Sequence, residues 1–221
     1  DDALFELGRT ELILGREDEA LSFYNQLINA YPNSNYLAGT YLKTGLIHYN
    51  RKADDLALTS FDAVIKRYPG SNEAKQALGK IKKIYIEKGD ASAFQDYING
   101  VPFADISKNE LDSTTYVIAE NAYLEGKCEK AVRDFTNYIK RYKDGLFSLN
   151  AHYYRADCEL KAEFYEEAAR DFEAVVAKAQ NKFTEKSLLA LGGIYRKLDK
   201  SDEAIVTCNH SFETQKGQRY F

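Results

Sequence analysis

The sequence predicts an all-α fold of about six helix–turn–helix repeats with a period of 37 residues. A small residue recurs every 37 residues, or 36 at the last step, with one phenylalanine in the series. Four residues after each position comes a large apolar residue, or a cysteine in the last repeat. The two series are Ala20, Ala57, Phe94, Ala131, Ala168 and Ala204, and Tyr24, Phe61, Ile98, Phe135, Phe172 and Cys208. Such a fixed period is typical of a helical solenoid, and the presence of only three prolines in 221 residues favours helix.

Two similar helix pairs are predicted at the start of the chain. In residues 1–32, Gly15 separates the two helices, and the Tyr31-Pro32 step ends the second helix because proline cannot continue it. Residues 34–69 repeat the design and end at Tyr68-Pro69.

The third repeat, residues 71–99, departs from the pattern. Phe94 replaces the small alanine and Lys82 replaces the glycine expected to face it, so the two helices should approach less closely. We therefore expect a break in the superhelix here, with residues 100–109 as an irregular connection. Residues 1–99 form repeats 1–3.

Repeats 4–6 are predicted in residues 110–221. Their helix pairs occupy residues 110–142, 147–179 and 184–214, and Gln218–Phe221 is expected to begin a further helix. Because apolar residues stand at both ends of the chain, we expect it to be a piece of a longer repeat protein, since terminal repeats normally carry a polar face.

Composition and motifs favour a binding protein over a catalyst. The net charge of −4 and the pI near 5.5 argue against a general nucleic-acid binder. His48, His152 and His210 are far apart in sequence, and no metal-binding, nucleophile-elbow or phosphate-loop motif occurs. We therefore predict a non-enzymatic protein with no cofactor and no metal, and no stretch is apolar enough to span a membrane.

The three cysteines form an odd set without a close pair. The spacing of Cys128, Cys158 and Cys208 fits neither a disulfide framework nor a zinc site. We predict that they are buried structural thiols, because a free cysteine packs as a small hydrophobic residue.

Two segments carry a family resemblance. Leu188-x-x-Leu191-Gly192-x-x-Tyr195 followed by Ala204, and Leu4-x-x-Leu7-Gly8 followed by Ala20, Tyr24 and Pro32, resemble the tetratricopeptide repeat. The resemblance extends over the whole chain and implies a right-handed superhelix that binds a protein or peptide partner. The family repeat is about 34 residues long, so the period of 37 implies longer first helices.

The junctions Tyr31-Pro32-x-Ser34 and Tyr68-Pro69-x-Ser71 look like those of the long-repeat cell-envelope members of this family in Gram-negative bacteria. That likeness implies a periplasmic scaffold, associated with the membrane through sequence outside this chain.

The resemblance also implies where a partner binds. In this family the first helix of each pair lines the concave surface, so its outward face is the candidate groove. Counting from the alanine series, the groove residues are Phe5, Arg9, Leu12, Leu42, Leu46, Tyr49, Lys83, Ile86, Tyr116, Glu120, Tyr123, Tyr153 and Asp157. Some family members grip a peptide carboxylate with Lys, Asn and Arg at such places; here Phe5, Tyr116 and Glu120 occupy several of them, so that clamp is not expected. The alternative is that the tyrosines pack the first helices against one another.

Two other functions stay open at this point. The basic helix between Lys75 and Lys88 could bind nucleic acid, although Glu87 interrupts its positive stripe and a solvated helix face explains it as well. The chain could also be a regulatory domain of a larger enzyme.

Overall fold

The computed structural model describes residues 1–101 and 108–218, with side chains up to residue 210. These residues form α-helices joined by short turns, without a strand among them. The helices are α1 (Asp2–Ile13), α2 (Glu17–Ala30), α3 (Leu37–Asn50), α4 (Asp54–Arg67), α5 (Asn72–Lys88), α6 (Ala91–Asn99), α7 (Lys108–Leu124), α8 (Cys128–Arg141), α9 (Ser148–Lys161), α10 (Tyr165–Val176), α11 (Thr184–Lys197) and α12 (Ser201–Gln218). The predicted all-α repeat fold is confirmed.

The chain divides into two compact units, Asp1–Asp105 and Ile106–Phe221. Unit 1 contains the pairs α1–α2, α3–α4 and α5–α6, and unit 2 contains α7–α8, α9–α10 and α11–α12. We call the odd-numbered helices first helices and the even-numbered helices second helices. Within each unit, second helices pack on the first helix of the next pair, and the first helices α3 and α5, and α7 and α9, also touch each other.

The turn inside every pair contains one residue in the left-handed backbone region. These residues are Gly15, Lys52, Gly89, Gly126, Glu163 and Asp199, and their φ angles lie between 55° and 75°. They recur with the period of the sequence, so one turn geometry is reused in all six pairs. Glycine adopts this conformation without strain, whereas the other three residues carry a steric cost.

The small residues of the repeat make room for the large ones. A Cβ atom added to Gly8 would lie 2.4 Å from the Tyr24 ring, and one added to Gly45 would lie 2.5 Å from the Phe61 ring. Ala57 is fully buried, as are its counterparts in the alanine series up to Ala168. The glycine of each of these first helices thus receives the ring that follows the alanine of its partner helix, and this contact sets the register.

The third pair differs from its neighbours as far as it is described. Phe94 is buried at the position of the small alanine and packs against Tyr85, with ring centroids 6.0 Å apart. Helix α6 is only 9 residues long and ends at Gly100. Residues 102–107 lie outside the described residues, so the irregular connection and the break in the superhelix stay predictions. Helix α7 begins at Lys108, so Lys108 and Asn109 are helical instead of part of that connection.

The end of the chain also differs from expectation. Helix α12 continues as one helix to Gln218, where a new helix had been expected to begin. The rest of that predicted helix, residues 219–221, lies outside the described residues.

The prediction for the cysteines is wrong. Cys128 and Cys158 form a disulfide with their Cα atoms 5.2 Å apart, and Cys208 is an exposed free thiol. Cys128 begins α8 and Cys158 lies near the end of α9, so packing of these helices brings together residues 30 positions apart. Cys208 does face Gly192, but α12 is the last described helix, and no described helix covers its outer side.

Candidate partner-binding surface

The first candidate element is Tyr49 at the contact between α3 and α5. Its hydroxyl donates a hydrogen bond of 2.8 Å to Glu87 Oε1, and the side chain is only 7% exposed. The Nζ atoms of Lys52, Lys80 and Lys83 lie 5.5, 5.3 and 5.8 Å from the centre of its ring, within reach of a cation–π attraction. The hydrogen bond from Tyr49, more than the nearby lysines, lowers the pKa of Glu87. We call this arrangement a tyrosine slot.

A second tyrosine slot joins α7 to α9 in unit 2. The Tyr123 hydroxyl donates to Asp157 Oδ2 at 2.9 Å, and its ring lies 4.6 Å from the ring of Tyr154. Lys161 Nζ lies 5.2 Å from the Tyr123 ring centre and forms an ion pair of 2.6 Å with Asp157. Burial first, and then the bond to the Asp157 carboxylate, raises the pKa of Tyr123 above its usual range. Tyr123 therefore stays a neutral hydrogen-bond donor.

An open pocket of about 350 Å³ lies between α9 and α11. Leu160, Leu189 and Ile194 contribute apolar side chains to the lining, and Lys161, Glu163 and Lys197 are its charged residues. The complete lining is Leu160, Lys161, Glu163, Tyr165, Leu189, Ala190, Gly193, Ile194 and Lys197. This volume is near the lower end of ligand pockets, roughly 300 to 1,000 Å³.

Tyr116 is part of the packing in unit 2. It is 2% exposed, stacks on Phe147 with ring centroids 4.3 Å apart, and donates to Glu120 at 2.6 Å. Asn150 donates to the Tyr116 hydroxyl at 3.2 Å. This burial matches the packing role considered as the alternative for the tyrosines, and a part for Tyr116 in partner binding stays a prediction.

The other candidates in unit 1 show a gradient of exposure. Arg9 and Lys83 are exposed, and Arg9 pairs with Glu6 at 3.2 Å. Phe5 is half-buried and stacks on Tyr36 at 5.0 Å. Leu12, Leu46 and Ile86 are half-buried, and Leu42 is buried.

The remaining candidate, Tyr153, lies in unit 2. It is half-buried and stacks on Phe183, with ring centroids 4.2 Å apart. The predicted residues are therefore divided between the two compact units.

A charged cluster between α9 and α10 was missed in the sequence. Arg155 donates to both carboxylate oxygens of buried Asp171, at 2.5 and 2.7 Å, and His152 Nδ1 lies 2.8 Å from Asp171 Oδ1. Burial would raise the pKa of Asp171, but the bonds from Arg155 and His152 outweigh it and lower the pKa. Nearby Glu159 is 7% exposed, and burial, reinforced by the negative charge of Asp171, raises its pKa to about 7. The sequence signal that could have revealed this cluster is the presence of His152, Arg155 and Asp171 at helix positions that face a neighbouring helix.

The arrangement of this cluster indicates a structural role. Arg155 also donates to Thr136 of α8 at 3.0 Å, so the cluster connects three helices of unit 2. Arg155 and Asp171 pair with each other inside the protein, as buried charges require. Within the described residues, no group of three or more histidine, cysteine, aspartate or glutamate side chains is placed to hold a metal ion.

The basic helix α5 has much of its positive charge engaged by the protein itself. Lys88 pairs with Asp55 at 2.9 Å, and Lys80 and Lys83 lie against Tyr49. One period earlier, Arg51 makes the equivalent contact with Asp18 at 2.7 Å. No observation on the described residues favours nucleic-acid binding through this helix.

None of the helices in residues 1–101 and 108–218 is both long enough and apolar enough to cross a membrane.

Comparison with known proteins gives a family. One model described as "Tetratricopeptide repeat" matches residues 2–34 and 40–71, and a second model with the same description matches residues 116–183. Together they match more than half of the chain. A search of curated proteins gave no match.

Solved structures give distant neighbours. The crystal structure of MamA protein has 14% identity and a TM-score of 0.45, covering 85% of this chain and 97% of that one. A tetratricopeptide repeat protein from Parabacteroides merdae has 14% identity and a TM-score of 0.41, covering 95% and 77%. The repeat matches, with the helix pairs and their register, establish that the chain belongs to the tetratricopeptide repeat proteins.

Proposed function

We propose that this chain is a non-enzymatic scaffold that binds a protein or peptide partner on the face formed by its first helices, in the bacterial cell envelope. Tetratricopeptide repeats generally mediate protein–protein interaction, and proteins of this family are typically non-catalytic. The observation that carries the proposal is the pocket between α9 and α11, whose lining includes the 61% exposed Leu189 together with Lys161, Glu163 and Lys197. An apolar depression with a few polar groups is the usual form of a binding site.

Each of the two tyrosine slots supports a binding face of first helices in its own unit. They hold α3 against α5 and α7 against α9 through hydrogen bonds between side chains 38 and 34 residues apart. A face that is fixed before the partner arrives loses less conformational entropy on binding. The neighbouring first helices of each unit therefore offer a preorganised surface.

The disulfide supports the envelope part of the proposal. Disulfides persist in oxidising compartments such as the bacterial periplasm and are rare in reducing ones. The pairing of Cys128 with Cys158 is consistent with that environment, as are the junctions that resemble those of envelope proteins.

Site-specific photo-crosslinking tests the binding face. Leu189 of α11 and Ile205 of α12 belong to one helix pair and are 61% and 60% exposed, so they form a matched pair. Each is replaced by benzoylphenylalanine in the full-length protein in its native cells. We expect a crosslinked partner protein at position 189 and none at position 205. Equal crosslinking at both positions, crosslinking at 205 alone, or none at 189 would contradict the proposal.

Cell fractionation tests the location separately. We expect the full-length protein in the envelope fraction, with Cys128 and Cys158 protected from alkylation until a reductant is added. Recovery in the cytoplasm with both thiols reactive would refute this part of the proposal and leave the binding face open.

A further inference from the structure

We infer that the pocket between α9 and α11 is an empty tyrosine slot and binds the phenol ring of a tyrosine from the partner. This inference rests on the proposed function and names the side chain that the partner presents. It follows from comparing three of the neighbouring pairs of first helices, α3–α5, α7–α9 and α9–α11, position by position.

The two filled slots use the same positions. Around Tyr49, helix α5 supplies Lys80, Lys83 and Glu87. The equivalent positions two periods later, 74 residues on, surround Tyr123 as Tyr154, Asp157 and Lys161. In both contacts the ring lies between two first helices, and its hydroxyl reaches a carboxylate of the following first helix.

Between α9 and α11 the equivalent positions line the pocket. Three periods after Tyr49 comes Leu160, and α11 is displaced by one residue because the last repeat interval is 36. The counterparts of Lys80, Lys83 and Glu87 are therefore Ala190, Gly193 and Lys197, and the counterpart of Lys52 is Glu163. Leu160 and all four of these counterparts belong to the pocket lining.

The pocket exists because side chains are shorter here. Leucine at position 160 has no ring or hydroxyl, and a Cβ added to Gly193 would meet nothing within 4 Å. Nothing else of the described chain fills the space of about 350 Å³. An open pocket with apolar side chains and a few polar groups in its lining can take an aromatic ring.

The charged residues of the pocket indicate which substituent a bound aromatic ring carries. Glu87 accepts the hydrogen bond from the Tyr49 hydroxyl, whereas Lys197 at the same position can only donate. Lys197 forms no ion pair within the described residues, so its ammonium group can donate to a phenol oxygen. In the second slot the residue at this position is Lys161, which faces the ring of Tyr123, so Lys197 can also contact the ring of a bound tyrosine. Tyrosine therefore fits better than phenylalanine or leucine.

Amide NMR titration of the whole chain with p-cresol tests the site. We expect saturable shifts centred on residues 189–194 and a dissociation constant on the order of millimolar. Acetyl-Ala-Tyr-Ala-amide should cause the same shifts and bind several-fold more tightly than the phenylalanine and leucine versions. No shift in α9 or α11, or equal binding of all three peptides, would overturn the inference.

Two variants with matched controls make the test specific. Leu160→Tyr should refill the slot from inside and weaken p-cresol binding at least tenfold, whereas Leu124→Tyr, the same change on the exposed end of α7, should leave it unchanged. Lys197→Met should remove the preference for tyrosine over phenylalanine, and Lys200→Met, outside the pocket lining, should keep it. Unchanged p-cresol binding by a folded Leu160→Tyr variant would refute the assignment. If that variant fails to fold, Gly193→Leu fills the pocket from the opposite wall and is judged by the same criterion.

The crosslinking experiment keeps the two proposals apart. A partner that crosslinks at position 189 while p-cresol and the tyrosine peptide do not bind would refute only the tyrosine slot. Absence of crosslinking at position 189 together with normal p-cresol binding would refute the proposed binding face and leave a pocket that binds phenols but not the partner.

Discussion

Tyr123 of α7 donates a hydrogen bond of 2.9 Å to Asp157 of α9, across the contact between two first helices. Tyr123→Phe removes the hydroxyl and keeps the ring, so it should lower the free energy of unfolding by about 1 kcal/mol, the usual net value of one hydrogen bond. Urea unfolding measures the change. In a double-mutant cycle with Asp157→Asn, the two effects should fail to add. Full additivity would show that the two groups do not interact in solution.

The glycine that faces a ring should respond differently from an exposed glycine. Gly45→Ala places a Cβ 2.5 Å from the Phe61 ring, so it should lower the free energy of unfolding by about 1 to 3 kcal/mol. Gly79→Ala, in the middle of α5 with nothing within 4 Å, should raise it by about 0.5 to 1 kcal/mol, because alanine favours helix. Urea unfolding of both variants is the measurement. Effects of the same sign would contradict the assigned repeat register.

Glu159 should make stability depend on pH. Its folded pKa of about 7 lies above the ordinary value of 4.5, so between these values the folded state binds more protons than the unfolded state. The stabilising contribution is fully present below pH 4.5 and is lost as the pH rises through about 7. Glu159→Gln should remove this dependence.

Comparing the wild type with Glu159→Gln separates the titration of Glu159 from that of other groups such as Asp171. Urea unfolding at several pH values should show the wild type losing stability relative to Glu159→Gln between pH 4.5 and 7, by on the order of 2 kcal/mol in total. A constant difference across this range would mean that Glu159 titrates normally.

The Cys128–Cys158 disulfide should stabilise the folded chain. Reduction should lower the free energy of unfolding by about 3 kcal/mol, as expected for a loop of this length. Alkylation of the denatured, unreduced chain followed by mass spectrometry checks the pairing. Only Cys208 should react before reduction, and all three cysteines afterwards. The variant Cys208→Ser serves as a control and should keep its stability.

The repeat register could be predicted from the sequence because it depends on a local relationship. Gly8 and Tyr24, like Gly45 and Phe61, are 16 residues apart, and the turn between them has one geometry throughout. A contact that recurs at fixed separation leaves a periodic trace in the sequence. The helix pairs and their register followed from that trace.

Several side-chain contacts could not be predicted from that trace. The disulfide and the bond from Tyr49 to Glu87 join different helix pairs, and the cluster around Asp171 lies within one pair; all three depend on how each helix is rotated against its neighbour. Sequence counting placed Tyr116 on a first helix but could not predict that its ring stacks on Phe147.

Both the sequence and the tertiary structure contribute to the pocket between α9 and α11. The sequence alone determined that Leu160, Ala190 and Gly193 occupy the positions of Tyr49, Lys80 and Lys83. Only the tertiary structure decided that these positions surround one slot, because a space between two helices exists only after they pack. Shorter side chains left the slot open, since the helices around it are held at their spacing by contacts elsewhere in the repeat.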